Sequence, residues 1–360
     1  MSESIRTASP INTAAVENKP SSSIEDFAAL QRHAPAPAWV KQHLERLWSL
    51  PPSTLAVRLI SVSENATFMV TVDDRNHAVL RLHRPGYIDT TDHIDGELLW
   101  VQAIARETSI TVPLPIAGRD AQFVQQFSDD NGQKWSAVLF DFVPGDILES
   151  VANPSPYFRE IGRTTAELHA HARSWNAPAG FVRFSWELTD MVGETSRWGT
   201  WENADMTLAE HAVLKEAERC ALATLTTLAK SASTWGLIHS DLRPSNIMID
   251  AGNLTVIDFD DAGFGWYLYD FASALSFIEH TDAAAAMAKD WVAGYREVLS
   301  LSVEDERLAC ALAMIRRLTM LGWSTTHRAD ALPTELFESL VSGSCLVADR
   351  YLASETWLLD

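Results

Sequence analysis

Between Leu237 and Asp261 the chain reads L-I-H-S-D-L-R-P-S-N-I-M-I-D-A-G-N-L-T-V-I-D-F-D-D, and no other stretch limits the possible folds as strongly. His239, Asp241 and Asn246 stand in an H-x-D-x-x-x-x-N pattern, and Asp258 closes the next apolar run. Ile247, Met248 and Ile249 form one short strand signal, Asp250-Ala-Gly-Asn253 is turn chemistry, and Leu254 to Ile257 is a second strand signal. Two such runs joined by a Gly-containing turn read as a β-hairpin. The hairpin carries Asn246 at its entrance and Asp258 at its exit, on the same end. Two oxygen ligands and the Asp241 carboxylate therefore converge in one local unit.

Phosphoryl transfer from ATP needs that set. A carboxylate must orient the attacking hydroxyl and take its proton, a role that suits Asp241. An amide oxygen and a second carboxylate, Asn246 and Asp258, are the hard ligands that Mg²⁺ prefers on the phosphates. Arg243 supplies a cation where charge develops on the transferring group. Here the chain resembles the protein-kinase-like phosphotransferases, most closely the aminoglycoside phosphotransferase and choline kinase superfamily of small-molecule kinases. H-S-D-L-R-P-S-N at 239–246 looks like that family's catalytic loop. I-D-F-D at 257–260 looks like its metal-binding strand end, with Phe259 and Asp260 where protein kinases carry D-F-G. His239, after Leu237 and Ile238, reads as a buried loop anchor, because Asp241 already fills the base position.

The resemblance covers roughly residues 40–345 and is densest at 237–272. It implies a two-lobed α+β fold, with a small antiparallel sheet of five strands and one helix as N-lobe and a mostly helical C-lobe. The domain organisation expected is a disordered tail over 1–36, an N-lobe over 37–142 and a C-lobe over 143–360. The tail is rich in Ser, Ala, Pro, Asn and Thr and ends in Pro-punctuated linker sequence. Helical spacing starts at Trp39 and stops at Pro51-Pro52. Strand signals follow at Leu55 to Ser61, Ala66 to Val72 and His77 to Leu82, with a turn at Asp73 to Asn76. The connection at Val62 to Asn65, where protein kinases place a Gly-rich loop over the phosphates, holds no glycine.

By position, Arg81 in V-L-R-L-H-R-P-G matches the strand lysine that grips the α- and β-phosphates in kinases. Arginine keeps the charge but replaces a point donor by a fork. Glu97, on a helix over about 92–106, is its expected ion-pair partner. A-V-L-F-D-F-V-P-G-D at 137–146 looks like the interlobe hinge, so the backbone around Asp141 to Val143 is expected to meet the adenine edge. Helices are expected at about 157–171, 208–231, 282–299, 303–324 and 333–356. The aromatic segments 179–186 and 197–201 are where such kinases build the acceptor pocket. Asp270 reads as a helix N-cap, and the resemblance implies that it braces the catalytic loop. Arg316, Arg317 and Trp323 have two readings, reach into the acceptor pocket or packing and surface pairing, and the second is favoured.

Composition limits the alternatives. The chain has 360 residues and a net charge of −20 without a basic tail, which disfavours a nucleic-acid partner. No apolar run approaches the ~20 residues that span a bilayer, so no membrane role is expected. Three scattered cysteines, Cys220, Cys310 and Cys345, argue against a disulfide framework and for a cytoplasmic location. The expected reaction moves the γ-phosphoryl group of ATP, with Mg²⁺, to a hydroxyl of a small molecule of amino alcohol, sugar or amino acid type. Two alternatives stand beside it: a protein Ser/Thr kinase of the bacterial stress-response type, and a nucleotide-binding or scaffolding protein of the same fold with little chemistry.

Overall fold

The structure is a computed structural model, and it describes residues 32–63, 65–83, 85, 90–129, 131–326 and 334–360. Helix α1 spans Ala38–Trp48 and turns Val40, Leu44 and Trp48 inward at helical spacing. Strands β1 (Leu55–Val62), β2 (Asn65–Val72) and β3 (Arg75–His83) form an antiparallel meander. Leu55, Val57 and Leu59 point inward while Ala56 and Arg58 face solvent, the period-2 pattern of a half-buried strand. The turn between β2 and β3 is tighter than the four residues expected. Asp73 and Asp74 both take left-handed φ, of 50° and 59°, and make a two-residue hairpin loop.

Helix α2 (Thr91–Glu107) follows, then β4 (Pro115–Ile116), β5 (Gln125–Ser128) and β6 (Lys134–Asp141). The sheet has six strands rather than five: its order is β1-β2-β3-β6-β4, and β5 also pairs with β6. The extra strand arises because the Pro-punctuated 112–116 stretch does reach the sheet, pairing Pro115 and Ile116 with Phe140 and Leu139. The tail expectation also needs correcting at its end. His33 N–H and Ala36 N–H donate to the carbonyls of Leu59 and Val57, and Leu59 N–H donates to Ala34, so residues 33–36 run along β1. The rest of the expected tail, 1–31, lies outside the described residues.

Helix α2 belongs to both lobes. Ile94 and Leu98 pack on Val138 and Phe140 of the sheet. Trp100, Val101 and Ile104 belong instead to the C-lobe core, with the Trp100 ring edge-on to Phe259 at 5.7 Å. The C-lobe comprises β7 (Asp146–Ile147), α3 (Phe158–Ser174), α4 (Leu208–Leu225), β8 (Trp235–Ile238), β9 (Ile247–Asp250), β10 (Asn253–Val256), β11 (Gly263–Trp266), α5 (Tyr269–Ala274), α6 (Ala284–Tyr295), α7 (Val303–Thr326) and α8 (Leu340–Ala353). Helix α7 is its axis and is buried continuously from Leu308 to Ser324.

Two helices are shorter than their periodicity suggests. Helix α4 opens on a Thr207–Glu210 capping box but ends at Leu225 instead of near 231. The hydroxyls of Thr226 and Thr227 bond back to the carbonyls of Ala223 and Thr224, competing with helical continuation. The expected 333–356 helix is a short turn, Thr334–Glu338, followed by α8. No helix among the described residues is long and apolar enough to cross a membrane.

Candidate active site

The 237–261 unit folds as a hairpin with flanking strands. Strands β9 and β10 pair Val256 with Ile247 and Asp250 with Asn253, across a turn in which Ala251 and Gly252 have left-handed φ. Ile257 N–H donates to the Asn246 carbonyl at 3.0 Å, which ties the entrance of the hairpin to its exit. Strands β8 and β11, not evident as strands in the sequence, pair with each other and hold the two loops on one edge.

Besides Ala251 in the hairpin turn, two non-glycine residues of the unit take left-handed backbone: Ser240 (φ 64°) and Asp258 (φ 62°). Each such residue costs on the order of 1–3 kcal/mol and persists only where the surroundings over-determine it. Around Ser240 they do. Asp270 is fully buried, and its carboxylate accepts from His239 N–H at 3.0 Å and from Ser240 N–H at 2.7 Å. It also takes His169 Nε2 at 2.9 Å. Asp270 sits inside the first turn of α5, whose N-cap is Leu268, so the expected cap geometry is absent. Its bonds go to the 239–246 loop instead. His169, passed over in the sequence because two histidines two apart share no helix face, is the second support of the brace. His239 Nε2 donates to the Ile257 carbonyl at 3.1 Å, and its ring packs on Phe259. Burial pushes the His239 imidazole pKa down, which keeps the ring neutral.

Asp241 is 14% exposed at its side chain and is held on both oxygens. Oδ2 accepts from Asn246 Nδ2 at 2.8 Å and from Arg243 Nε at 3.2 Å. Oδ1 accepts from Arg316 Nη2. Asn246 Nδ2 also reaches the Asp241 carbonyl at 2.9 Å, while its oxygen takes only a 3.5 Å contact from Ser245. Arg316 is thus a site residue that sequence reading assigned to packing. Its only sequence signal was a charged residue on the buried stripe of a helix.

The N-lobe contributes a buried ion pair. Arg81 Nη2 donates to both oxygens of Glu97, at 2.8 and 2.7 Å, and Nη1 reaches Asp258 Oδ1 at 3.4 Å. Burial alone would lower the Arg81 pKa, but Glu97, Asp260 and Asp258 outweigh it and hold the guanidinium charged. Burial pushes the Glu97 carboxyl up while Arg81 pulls against it. The Asp258 pKa is pushed up to about 7 by the surrounding protein, against Arg81 and with Asp260, Glu97 and Asp241 adding to the rise. Half of that side chain, 51%, nevertheless faces the cleft, so water there relieves part of the rise.

Asp260 links the lobes. Its Oδ2 accepts from Asn65 Nδ2 at 2.7 Å, beside the glycine-free connection, and its backbone carbonyl accepts from Arg183. The Arg183 guanidinium also donates to the carbonyls of Ala262 and His93, so it joins the acceptor segment, the strand-end loop and the start of α2.

The expected hinge segment follows the last long strand of the sheet. Asp141 ends β6 with its side chain exposed, and its N–H is taken by the Leu114 carbonyl at 2.9 Å. In the acceptor segment, Trp186, Trp198 and Trp201 are buried, and the Trp198 ring lies 5.2 Å from the Arg316 guanidinium carbon. Two surface cavities, of about 370 and 170 Å³, include neither Asp241 nor Asp258 in their walls.

Among the described residues no group of three or more His, Cys, Asp or Glu side chains is arranged to hold a metal. Asn246 and Asp258 offer two oxygen ligands. Mg²⁺, which keeps waters and takes phosphate oxygens, needs few from the protein. The carboxylate crowding at Asp258 is relieved by a divalent cation, so these residues fit one.

A small antiparallel sheet on a helical lobe, with a buried Arg–Glu pair above and an Asp–Asn–Asp set below, defines a protein-kinase-like phosphotransferase. The sequence pattern of the phosphotransferase enzyme family matches residues 56–307, and the chain belongs to that family. A microcompartment-associated aminopropanol kinase of known structure is 35% identical, with a TM-score of 0.80 over 88% of this chain and 98% of that one. Amicoumacin kinase of Bacillus subtilis (strain 168) is 25% identical over 222 residues, 61% of this chain, and the match spans 62% of that relative's length. An amicoumacin kinase solved with AMP-PNP, Ca²⁺ and Ami is 18% identical with a TM-score of 0.68, covering 86% of this chain and 92% of the other. A spectinomycin phosphotransferase solved with ADP and spectinomycin is 10% identical with a TM-score of 0.62, covering 88% and 98%. These last two likenesses carry the two-lobed fold alone.

Proposed function

We propose that the chain transfers the γ-phosphoryl group of ATP to the hydroxyl of a small amino alcohol, with Mg²⁺. The observation that carries this reading is the Asp241 carboxylate. It is fixed by Arg243, Asn246 and Arg316 between the tryptophan-lined acceptor segment and the Arg81–Glu97–Asp258 cluster. The 35% identity to an aminopropanol kinase supports the acceptor class.

In this mechanism Asp241 orients the acceptor hydroxyl and takes its proton as that oxygen bonds to the γ-phosphorus. The bond from the γ-phosphorus to the β–γ bridging oxygen breaks, and ADP leaves. Arg81 holds phosphate oxygens, and Glu97 keeps its guanidinium aimed down into the cleft. Arg243, 24% exposed at its side chain beside Asp241, faces the charge that builds on the transferring group. The main chain at Phe142 and Val143 meets the adenine. Asn246 and Asp258 would hold Mg²⁺, which offsets phosphate charge when bound.

The test is Mg·ATP-dependent phosphorylation of a pooled panel of amino alcohols, sugars, hydroxy amino acids and aminoglycosides, read by mass. Gain of one phosphate on an amino alcohol is the expected result. Transfer only to a sugar or an antibiotic overturns the acceptor class, and no transfer to any small hydroxyl overturns the reading.

A further inference from the structure

The catalytic carboxylate is gripped by a residue that lies 75 positions further along the chain and outside the loop motif. Arg316 sits mid-way along α7 and is fully buried. A buried guanidinium must satisfy its N–H groups or destabilise the core. Here its hydrogen bonds go to the Asp241 loop and its supports. Nε donates to Ser276 Oγ at 3.0 Å, Nη1 to the Ser240 carbonyl at 3.3 Å and to the Tyr269 hydroxyl at 3.2 Å, and Nη2 to Asp241 Oδ1. The rings of Trp198 and Tyr269 lie 5.2 and 5.4 Å from its central carbon. Its neighbour Arg317, equally buried, turns the other way to Glu279, Ser344 and the Leu340 carbonyl, and bonds no site residue among the described ones.

The oxygens of Asp241 are used unequally. Oδ2 accepts two bonds, from Asn246 and Arg243, which fills its lone pairs. Among the described residues Oδ1 accepts from Arg316 alone. We infer that Arg316 is the positioning residue of the catalytic aspartate: it fixes the carboxylate so that Oδ1 offers its remaining lone pair to the acceptor hydroxyl. Through Trp198 the same guanidinium ties that orientation to the acceptor segment. This inference rests on the proposed phosphotransfer reaction with Asp241 as base.

The experiment compares the parent with Arg316→Met, Arg316→Lys, Asp241→Asn, the Arg316→Met/Asp241→Asn double variant, and Arg317→Met as a buried-arginine control. Arg316→Met is expected to lower kcat about 100-fold, the scale of a misplaced reacting group. Its Mg·ATP dissociation constant should stay at the parent value, and Arg317→Met should lose stability with its kcat kept. Arg316→Lys should recover part of the loss, since the charge stays and the fork goes. In the Asp241→Asn background Arg316→Met should cost no further rate, because the two act as one unit. A kcat for Arg316→Met equal to that of Arg317→Met, or losses that multiply in the double variant, overturns the inference. If Arg316→Met does not fold, Arg316→Lys and Tyr269→Phe carry the same comparison.

Should the parent phosphorylate no hydroxyl, the cycle is read in its slow Mg·ATP hydrolysis to water. Non-additive losses there keep the Arg316 assignment while the proposed function falls, and multiplying losses overturn the assignment as well.

Discussion

Asp241 and Asp258 carry similar chemistry in different surroundings, and the difference sets what each substitution should do. Asp241 is satisfied on both oxygens by donors from its own loop and from α7. Asp241→Asn keeps the shape but removes the proton acceptor and turns an amide N–H₂ toward one of its donors. The expected outcome in steady-state kinetics is a kcat at least ~100-fold lower, with Mg·ATP affinity retained in a binding titration. Parent-like turnover would remove Asp241 from the base position. Among the described residues Asp258 has one long contact, to Arg81, and it is half open to the cleft. Asp258→Ala should therefore act on binding, raising the Mg·ATP dissociation constant and blunting its response to added Mg²⁺. Equal ATP affinity with and without Mg²⁺ in both proteins would sink the metal-ligand role. Both aspartates were legible in the sequence because their spacing is local. Arg316 was not, because only the packing of α7 against the loop gives its charge a destination.

At the scale of elements, the 239–246 loop is hung from α5 by Asp270, whose carboxylate is itself held by His169 of α3. Three donors converge on one fully buried carboxylate, and such charge-assisted bonds contribute roughly 1.5–3 kcal/mol each. Asp270→Asn replaces an acceptor oxygen by an amide that faces a backbone N–H. It should destabilise the fold by about 3 kcal/mol or more in denaturant unfolding, and the loop's amide protons should exchange faster. A loss below ~0.5 kcal/mol would show that the brace is dispensable. The hairpin and its ligands could be read from turn chemistry and apolar runs. Strands β8 and β11 could not. Gly263-Phe-Gly-Trp266 has weak strand propensity, and it pairs because it lies beside Trp235–Ile238 in the assembled lobe. The connection at 62–65 shows the same limit. Its lack of glycine was plain in the sequence, but the tether from Asn65 to Asp260 spans 195 residues. Asn65→Ala should raise the KM for ATP several-fold with kcat little changed; a parent-like KM would mean that the loop is placed by other contacts.

Across the whole molecule, charge is buried both inside the C-lobe and where the lobes meet, and one residue at the meeting of the lobes lets its effect on stability be isolated. His83 ends β3 and is 3% exposed, with neither ring nitrogen hydrogen-bonded among the described residues. Burial, aided by Arg81 and opposed by Asp260, pushes its pKa from the ordinary 6.5 down to about 3. Above pH 6.5 the imidazole is neutral in both folded and unfolded chains, so its full contribution is present there. As pH falls from 6.5 toward 3 the unfolded chain takes up a proton that the folded chain refuses, and stability is lost by up to ~1.4 kcal/mol per pH unit. His169 and His239, also lowered by burial, act in the same direction. Asp258, raised to about 7, acts in the opposite one, since its folded form holds a proton that the unfolded chain releases above its ordinary 3.8. The total profile is a sum of opposed slopes, and the contribution of His83 is best read as a difference. His83→Gln keeps a polar side chain but cannot titrate. Urea unfolding of parent and variant between pH 7.5 and 4 should give a parent-minus-variant stability that is constant above about pH 6.5 and falls below it. A difference that stays flat to pH 4 would mean that the folded protein protonates His83 as readily as the unfolded chain does, and that water, not protein, surrounds the ring.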